Sequence, residues 1–236
     1  MRYMKLNLLM CDQFPGILPP DIPSYEWMMQ RVFTQADPAT RHAVYQVWQG
    51  ELPATVRPGE IYLISGSNAD AYGSEPWVVA LRQWVVSAYA AGALLAGICF
   101  GHQVIAQALG GLVQRSAKGW GTGIRTSVVT DDCAIGLLGS DRYELVYNHH
   151  DQVVRLPQGA TLVSGSDFCP IESFSIGHQV ATLQGHPEFS NAFITHWITH
   201  CAPDEPAELK RRALESLTTH ENQGVRMARW LLHTLG

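Results

Sequence analysis

The stretch Leu94-Leu95-Ala96-Gly97-Ile98-Cys99-Phe100-Gly101-His102-Gln103 begins as an apolar run suited to a buried strand and ends on a cysteine followed by a helix-compatible segment. A cysteine at a sharp strand-to-helix turn holds its thiol at the C-terminal edge of the sheet, where open α/β folds place their ligands. The first amides of the following helix point toward such a thiol, and the helix dipole favours its thiolate. Gly97 and Gly101 flank Cys99 in a G-x-C-x-G pattern, the form of a nucleophile elbow in which a tight turn leaves no room for side chains. The competing reading is a small buried hydrophobe, the usual fate of a free cysteine. Cys11, Cys133, Cys169 and Cys201 lack the glycine setting and read as structural.

Outward from this turn, the chain alternates strand and helix. Lys5 to Cys11, His42 to Trp48, Glu60 to Ser65 and Leu94 to Ile98 read as strands; Ser24 to Gln35, with Ser24 as N-cap, Pro76 to Tyr89 and His102 to Leu109 read as helices. Near-continuous apolar strands in βα units predict an open, mostly parallel sheet with helices on both faces. From Leu112 to Leu183 the pattern turns to short β-rich runs: Thr126 to Thr130, Tyr143 to Tyr147, Ala160 to Ser164, Glu172 to Ser175 and Gln179 to Leu183. Helices return at Phe189 to His200, Glu205 to Thr219 and Gln223 to Leu235. With no internal repeat and no linker, residues 1–236 are expected to form a single domain, an ordinary size for one α/β unit.

Composition narrows the function. A hydrophobic content of 46% and a charged content of 16%, without low-complexity tracts, describe a globular protein. The formal net charge of −5 offers no electrostatic footprint for nucleic acid. The 5 cysteines are scattered, with no CxxC spacing, so neither a disulfide scaffold nor a structural zinc site is expected. The start, MRYMKLNLLMCD, has a short apolar segment without a small-residue cleavage signal, and no run approaches the roughly 18 apolar residues of a membrane span. A cytoplasmic protein with small-molecule or protein partners, and no membrane partner, is the expectation.

A thiol nucleophile needs a base, and the base an orienting group. At the end of the last predicted strand stands Gln184-Gly185-His186-Pro187-Glu188-Phe189. In an extended segment His186 and Glu188 fall on one side, where the carboxylate can hold the imidazole in its useful tautomer. By itself an HPE tripeptide is weak evidence and reads more readily as part of a surface loop.

Together the two segments resemble the class I, or triad, glutamine amidotransferases, which carry G-x-C-x-G-x-Q followed later by HPE. Gly97, Cys99, Gly101 and Gln103 fit the first element, and His186, Pro187 and Glu188 the second. The QGHPEF form and the free-standing length most resemble stand-alone relatives of the amidotransferase domain of GMP synthase, which include gamma-glutamyl peptidases. The resemblance implies a flavodoxin-like α/β architecture and a Cys99–His186–Glu188 triad acting through a γ-glutamyl thioester. Cys99 attacks the amide carbonyl of glutamine, and His186, oriented by Glu188, protonates the departing ammonia and then activates water. It implies an oxyanion hole of backbone amides from Phe100 and from the Ile64-Ser65-Gly66-Ser67 loop, with Gly66 and Ser67 as candidates. Gln103 corresponds to a glutamine-binding position, and the Tyr147-Asn148-His149-His150-Asp151 segment to a pocket lining whose contacts among Asn148, His149, His150 and Asp151 stay open.

Two features depart from that family. Its oxyanion loop reads GGPxS, whereas this chain has Gly66-Ser67-Asn68-Ala69-Asp70. No synthase domain follows, so an ammonia acceptor is expected on a separate synthase chain, and direct γ-glutamyl peptide hydrolysis is the alternative. A regulatory protein on the same fold is the non-enzymatic alternative, against which the presence of Cys99, His186 and Glu188 argues. An α/β-hydrolase order is disfavoured because Glu188 follows His186. No cofactor is expected. His196 and His200 have metal-compatible spacing but lack the intervening glutamate of the metalloprotease motif and a third ligand. His149-His150-Asp151 could also attract a metal, but a cysteine mechanism needs none. Gly119-Trp120-Gly121-Thr122-Gly123 lacks the lysine and hydroxyl of a phosphate loop. Met28, Met29, Val32 and Phe33 read as core, and the tryptophans, Trp120 included, as packing residues.

Overall fold

Five strands share one direction and bring four chain crossings to the same edge of the molecule. The computed structural model describes residues 4–14, 16–202 and 206–236. In chain order the elements are β1 (Met4–Met10), α1 (Tyr25–Ala36), β2 (Thr40–Gln46), β3 (Ile61–Ile64), α2 (Pro76–Ala90), β4 (Leu94–Ile98), α3 (Phe100–Ala108), β5 (Leu112–Arg115) and β6 (Gly121–Val129). There follow α4 (Asp132–Leu138), β7 (Arg142–His149), β8 (Asp151–Arg155), β9 (Thr161–Gly165), β10 (Ser173–Ile176), β11 (Val180–Leu183), α5 (Asn191–His196), α6 (Ala207–Thr219) and α7 (Gly224–Leu235). The main sheet has 9 strands in the order β2-β1-β3-β4-β11-β10-β9-β6-β7. It is parallel from β2 to β11 and antiparallel from there to β7, so the β-rich middle extends the parallel core rather than forming a separate layer. β5 and β8 pair antiparallel as a second, 2-stranded sheet.

The parallel strands are buried on both faces, which explains their near-continuous apolar sequence. Leu6, Leu8, Leu63, Ala96, Ile98, Ala181 and Leu183 pack with α1 and α7; Leu9, Tyr62, Ile64, Leu95 and Val180 alternate with them and pack with α2 and α3. Helices therefore cover both faces, as expected.

Several boundaries move for physical reasons. α1 starts where expected, because the Ser24 hydroxyl accepts the Trp27 N–H at 3.0 Å. β2 spans Thr40–Gln46 rather than His42 to Trp48, because it pairs along the whole of β1 and Val47–Gln49 then forms a 3₁₀ turn. α3 starts at Phe100, not His102; Gly101 is tolerated inside the helix because the helix leans closely on β3 there. Ser190 accepts the Phe193 N–H at 3.1 Å and starts α5 at Asn191, and Trp197–Cys201 winds as a π turn. Of the helix expected from Glu205, the first residue lies outside the described ones, and α6 runs from Ala207. β5, β8 and α4 are elements that the apolar pattern does not disclose.

Candidate active site

Because β1, β3, β4 and β11 are parallel neighbours in register, with Leu9 beside Ile64, Ile64 beside Gly97, and Ile98 beside Leu183, the segments after all of them emerge at one edge. Cys99 follows β4 at the centre of that edge, the 66–70 loop follows β3 on one side, and His186 and Glu188 follow β11 on the other.

Cys99 is the sharp point of the turn. Its backbone stands at φ 50°, ψ −103°, a conformation that an L-residue adopts only when its surroundings force it. What forces it is packing. A Cβ on Gly97 would lie 2.6 Å from the Gly101 carbonyl carbon and 2.7 Å from the His102 nitrogen, and one on Gly101 would collide with the Ile64 carbonyl oxygen. The two glycines let α3 start directly against β3 and β4, and the Cys99 N–H is fixed by a 2.8 Å bond to the Leu183 carbonyl. The side chain is left at the N-terminus of α3, only 7% exposed. Phe100 supplies the first amide of that helix, one without an intrahelical acceptor.

His186 is 3% exposed and Glu188 6%. The imidazole Nδ1 lies 2.8 Å from Glu188 Oε1. Phe189 lies parallel to the imidazole, with ring centroids 3.9 Å apart and 3° between planes, and fixes the ring plane. With Nδ1 engaged by Glu188, Nε2 is the ring nitrogen left for a further partner. Burial would lower the imidazole's pKa, but the charges of Glu188 and Cys99 outweigh burial and raise it to about 10. The Glu188 carboxylate on Nδ1 thus favours the protonated ring.

The 66–70 loop is held from behind. Ser65 Oγ accepts the Cys11 N–H at 2.9 Å, and Asp12 Oδ2 accepts the Asn68 N–H at 3.0 Å. The Gly66 N–H donates to the Tyr25 hydroxyl at 3.0 Å. That bond engages the Gly66 amide, expected as an oxyanion donor, and anchors the loop, while Ser67, Asn68, Ala69 and Asp70 line the pocket.

The pocket at Cys99 has a volume of about 250 Å³. Gln103, Asn148, His149, His150 and Asp151 all line it, whereas Tyr147 is fully buried behind them. Gln103 is itself engaged: its Nε2 donates to the Asp151 carbonyl at 2.8 Å and to Gln184 Oε1 at 3.0 Å, so it ties α3 to the wall of the pocket. His149 is buried, and burial depresses its pKa to about 3, which makes it a neutral polar wall. The mouth is formed by Tyr72, Arg115 and Trp120, none of them anticipated. Trp120 is 39% exposed and lies over His150 with centroids 5.2 Å apart, so it is a pocket residue and not, as expected, a packing residue. Arg115 Nε contacts His150 Nε2. These residues escape sequence reading because β5 and β8 bring Arg115 opposite Asp151 only through long-range pairing.

Other singled-out residues stay apart. His196 and His200 stack on each other, and His200 Nδ1 bonds the His196 carbonyl, away from the pocket. A larger hollow of about 760 Å³, lined by residues such as Arg125, Phe168 and His220, lies on the antiparallel half and has no cysteine in its lining. No described helix is long and apolar enough to cross a membrane.

The fold is an α/β sheet with a buried cysteine on a sharp strand-to-helix turn and a carboxylate-held histidine at the same C-terminal edge. The family model for Glutamine amidotransferase class-I matches residues 75–198, and the chain belongs to that family. It is similar to Gamma-glutamyl peptidase 3 of Arabidopsis thaliana, 34% identical over 139 residues, covering 56% of each chain. It is also similar to the glutamine-hydrolyzing GMP synthase subunit of Halobacterium salinarum, 33% identical over 97 residues, covering 40% of this chain and 52% of that protein. The chain thus spans about half the length of these curated relatives. A solved glutamine amidotransferase of Thermotoga maritima has the same fold, with a TM-score of 0.77 and 21% identity, over 100% of this chain and 99% of that one.

Proposed function

We propose that the chain, working as one domain, hydrolyses a γ-glutamyl amide, with Cys99 as nucleophile, His186 as acid and base, and Glu188 as its orienting carboxylate. The observation that carries this is the conjunction of the forced backbone at Cys99 with the 2.8 Å His186–Glu188 contact beside it. Cys99 sulfur attacks the γ-carbonyl carbon, forming the C–S bond and placing negative charge on the carbonyl oxygen. The amides of Ser67 and Phe100 are the donors assigned to that oxyanion. One such donor is typically worth about 3–4 kcal/mol in the transition state. Collapse breaks the C–N bond, and the proton on His186 goes to the departing amine. Water then attacks the thioester carbonyl, His186 takes its proton, and glutamate leaves with Cys99 restored. Asn148, His149, His150 and Asp151 are assigned to the head group, and Gln103 to fixing that wall.

With glutamine the leaving amine is ammonia, for an acceptor held by a separate synthase chain. That is how the Halobacterium salinarum relative is named, as one subunit of a glutamine-hydrolysing synthase. The second reading is γ-glutamyl peptide hydrolysis. It is favoured by the similarity to a protein named gamma-glutamyl peptidase and by Tyr72, Arg115 and Trp120 at the mouth, which offer a leaving peptide aromatic and cationic contacts. The test supplies purified protein with glutamine and with γ-glutamyl peptides, beside Cys99→Ala, and measures ammonia, freed peptide and glutamate. Turnover of neither, together with no labelling of Cys99 by a glutamine-analogue electrophile, overturns the hydrolase reading. A cytoplasmic enzyme is the setting this chemistry fits.

A further inference from the structure

Tyr25, at the first position of α1, is 1% exposed and far from the nucleophile in sequence, yet its hydroxyl meets both halves of the site. The O–H donates to Glu188 Oε1 at 2.9 Å, and the same oxygen accepts the Gly66 N–H at 3.0 Å. The directions are unambiguous, because a backbone N–H only donates and burial, with the neighbouring Glu188 charge, drives the phenol's pKa well above its usual value and keeps it protonated. Glu188 depends on this bond. Its side chain is inaccessible to solvent, Oε2 has no hydrogen-bond partner among the described residues, and Oε1 receives both His186 Nδ1 and the tyrosine. Gly66 is pressed into the same junction: a Cβ there would lie 2.9 Å from the Tyr25 hydroxyl and 3.1 Å from His186 Cε1.

We infer that the Tyr25 hydroxyl is a positioning group that ties the acid of the triad to the oxyanion loop, so that the base and the oxyanion donors are set by one shared anchor. It acts through Glu188 and Gly66 and touches no substrate. The inference rests on the proposed hydrolase reading only for its turnover arm.

Tyr25→Phe keeps the ring packed on Phe14, whose centroid is 4.4 Å away, and deletes both bonds. A hydrogen bond to a charged group is worth about 1.5–3 kcal/mol, so kcat is expected to fall roughly 10- to 100-fold with KM within about threefold. Two readouts need no substrate: the rate at which iodoacetamide alkylates Cys99, followed on its peptide by mass spectrometry, and the His186 Nδ1–H proton resonance. Both are expected to change in Tyr25→Phe. If both match the wild type, the inference is overturned, whatever happens to the melting temperature, because a purely packing role would lower stability alone. If the wild type turns over no γ-glutamyl amide, the hydrolase reading fails and these two readouts still decide the role of Tyr25. If Tyr25→Phe does not fold, site-specific Tyr25→3-fluorotyrosine keeps the shape and both bonds with a more acidic donor. A moved His186 resonance then supports the anchor, and an unmoved one overturns it.

Discussion

Replacing Cys99 by glycine is expected to give a more stable protein than replacing it by alanine, the reverse of the usual order. At φ 50° and ψ −103° the residue lies outside the left-handed basin that non-glycine residues occasionally visit, so its cost belongs near the top of the range of about 1–3 kcal/mol for strained backbones. Glycine removes that cost. Against it stand about 0.5–1 kcal/mol for the extra freedom of glycine in the unfolded chain and about 0.8 kcal/mol for the methyl group that alanine buries. The balance favours glycine by about 1 kcal/mol. For a chain of 236 residues this is a melting temperature about 2–4 °C higher than that of the alanine variant. Both variants lack the thiol, so their comparison isolates the backbone, and thermal unfolding by circular dichroism reads it. At an unstrained position the same contributions put glycine below alanine by about 1–2 kcal/mol. A glycine variant that melts at or below the alanine variant refutes the idea that the elbow is held under strain.

Two further outcomes follow from the same geometry. Gly101→Ala drives a methyl group into the Ile64 carbonyl, so α3 must move off β3; loss of activity and a fall in melting temperature larger than an ordinary helix Gly→Ala change allows are expected. Glu172 is buried, and burial lifts its pKa from 4.5 to about 7, so between those values the native state keeps a proton that the unfolded chain has released. Its contribution to stability therefore falls as pH rises through that window, and Glu172→Gln is expected to gain stability over the wild type at pH 8 relative to pH 5 in paired thermal melts; an unchanged difference contradicts it.

Much of the site can be read from sequence because its carriers are local. Strand, thiol and glycines sit within a single turn, and His186 and Glu188 are held by spacing alone. The two glycines announce a close approach without saying to what, and only the sheet shows that Gly101 meets Ile64. What escapes is non-local or weakly patterned. β5 and β8 are short strands that expose Gln114, Arg115, Val154 and Arg155, so they carry no apolar signature and exist through each other. In α4 only Ala134 is buried, which leaves no stripe to detect, although the Asp131 cap bonds the Ala134 N–H and Gly139 closes the helix in a left-handed conformation. The place of the 66–70 loop after β3 is legible, but the direction of the Gly66 amide is decided by Tyr25, which arrives from α1, on the other side of β2 in the chain. Trp120 shows the same limit: its composition suggests core, and the pairing of β6 with β7 places it beside His150 at the mouth of the pocket.

The central claim is covalent chemistry at Cys99. Protein mixed with excess glutamine or a γ-glutamyl peptide, quenched in acid within the first turnovers and digested for mass spectrometry, is expected to carry one γ-glutamyl group on the Cys99 peptide. The adduct should persist longer in His186→Ala, provided that it still forms, and be absent from Cys99→Ala. Amide hydrolysis that proceeds with no adduct on Cys99, and at an undiminished rate in Cys99→Ala, would contradict the account.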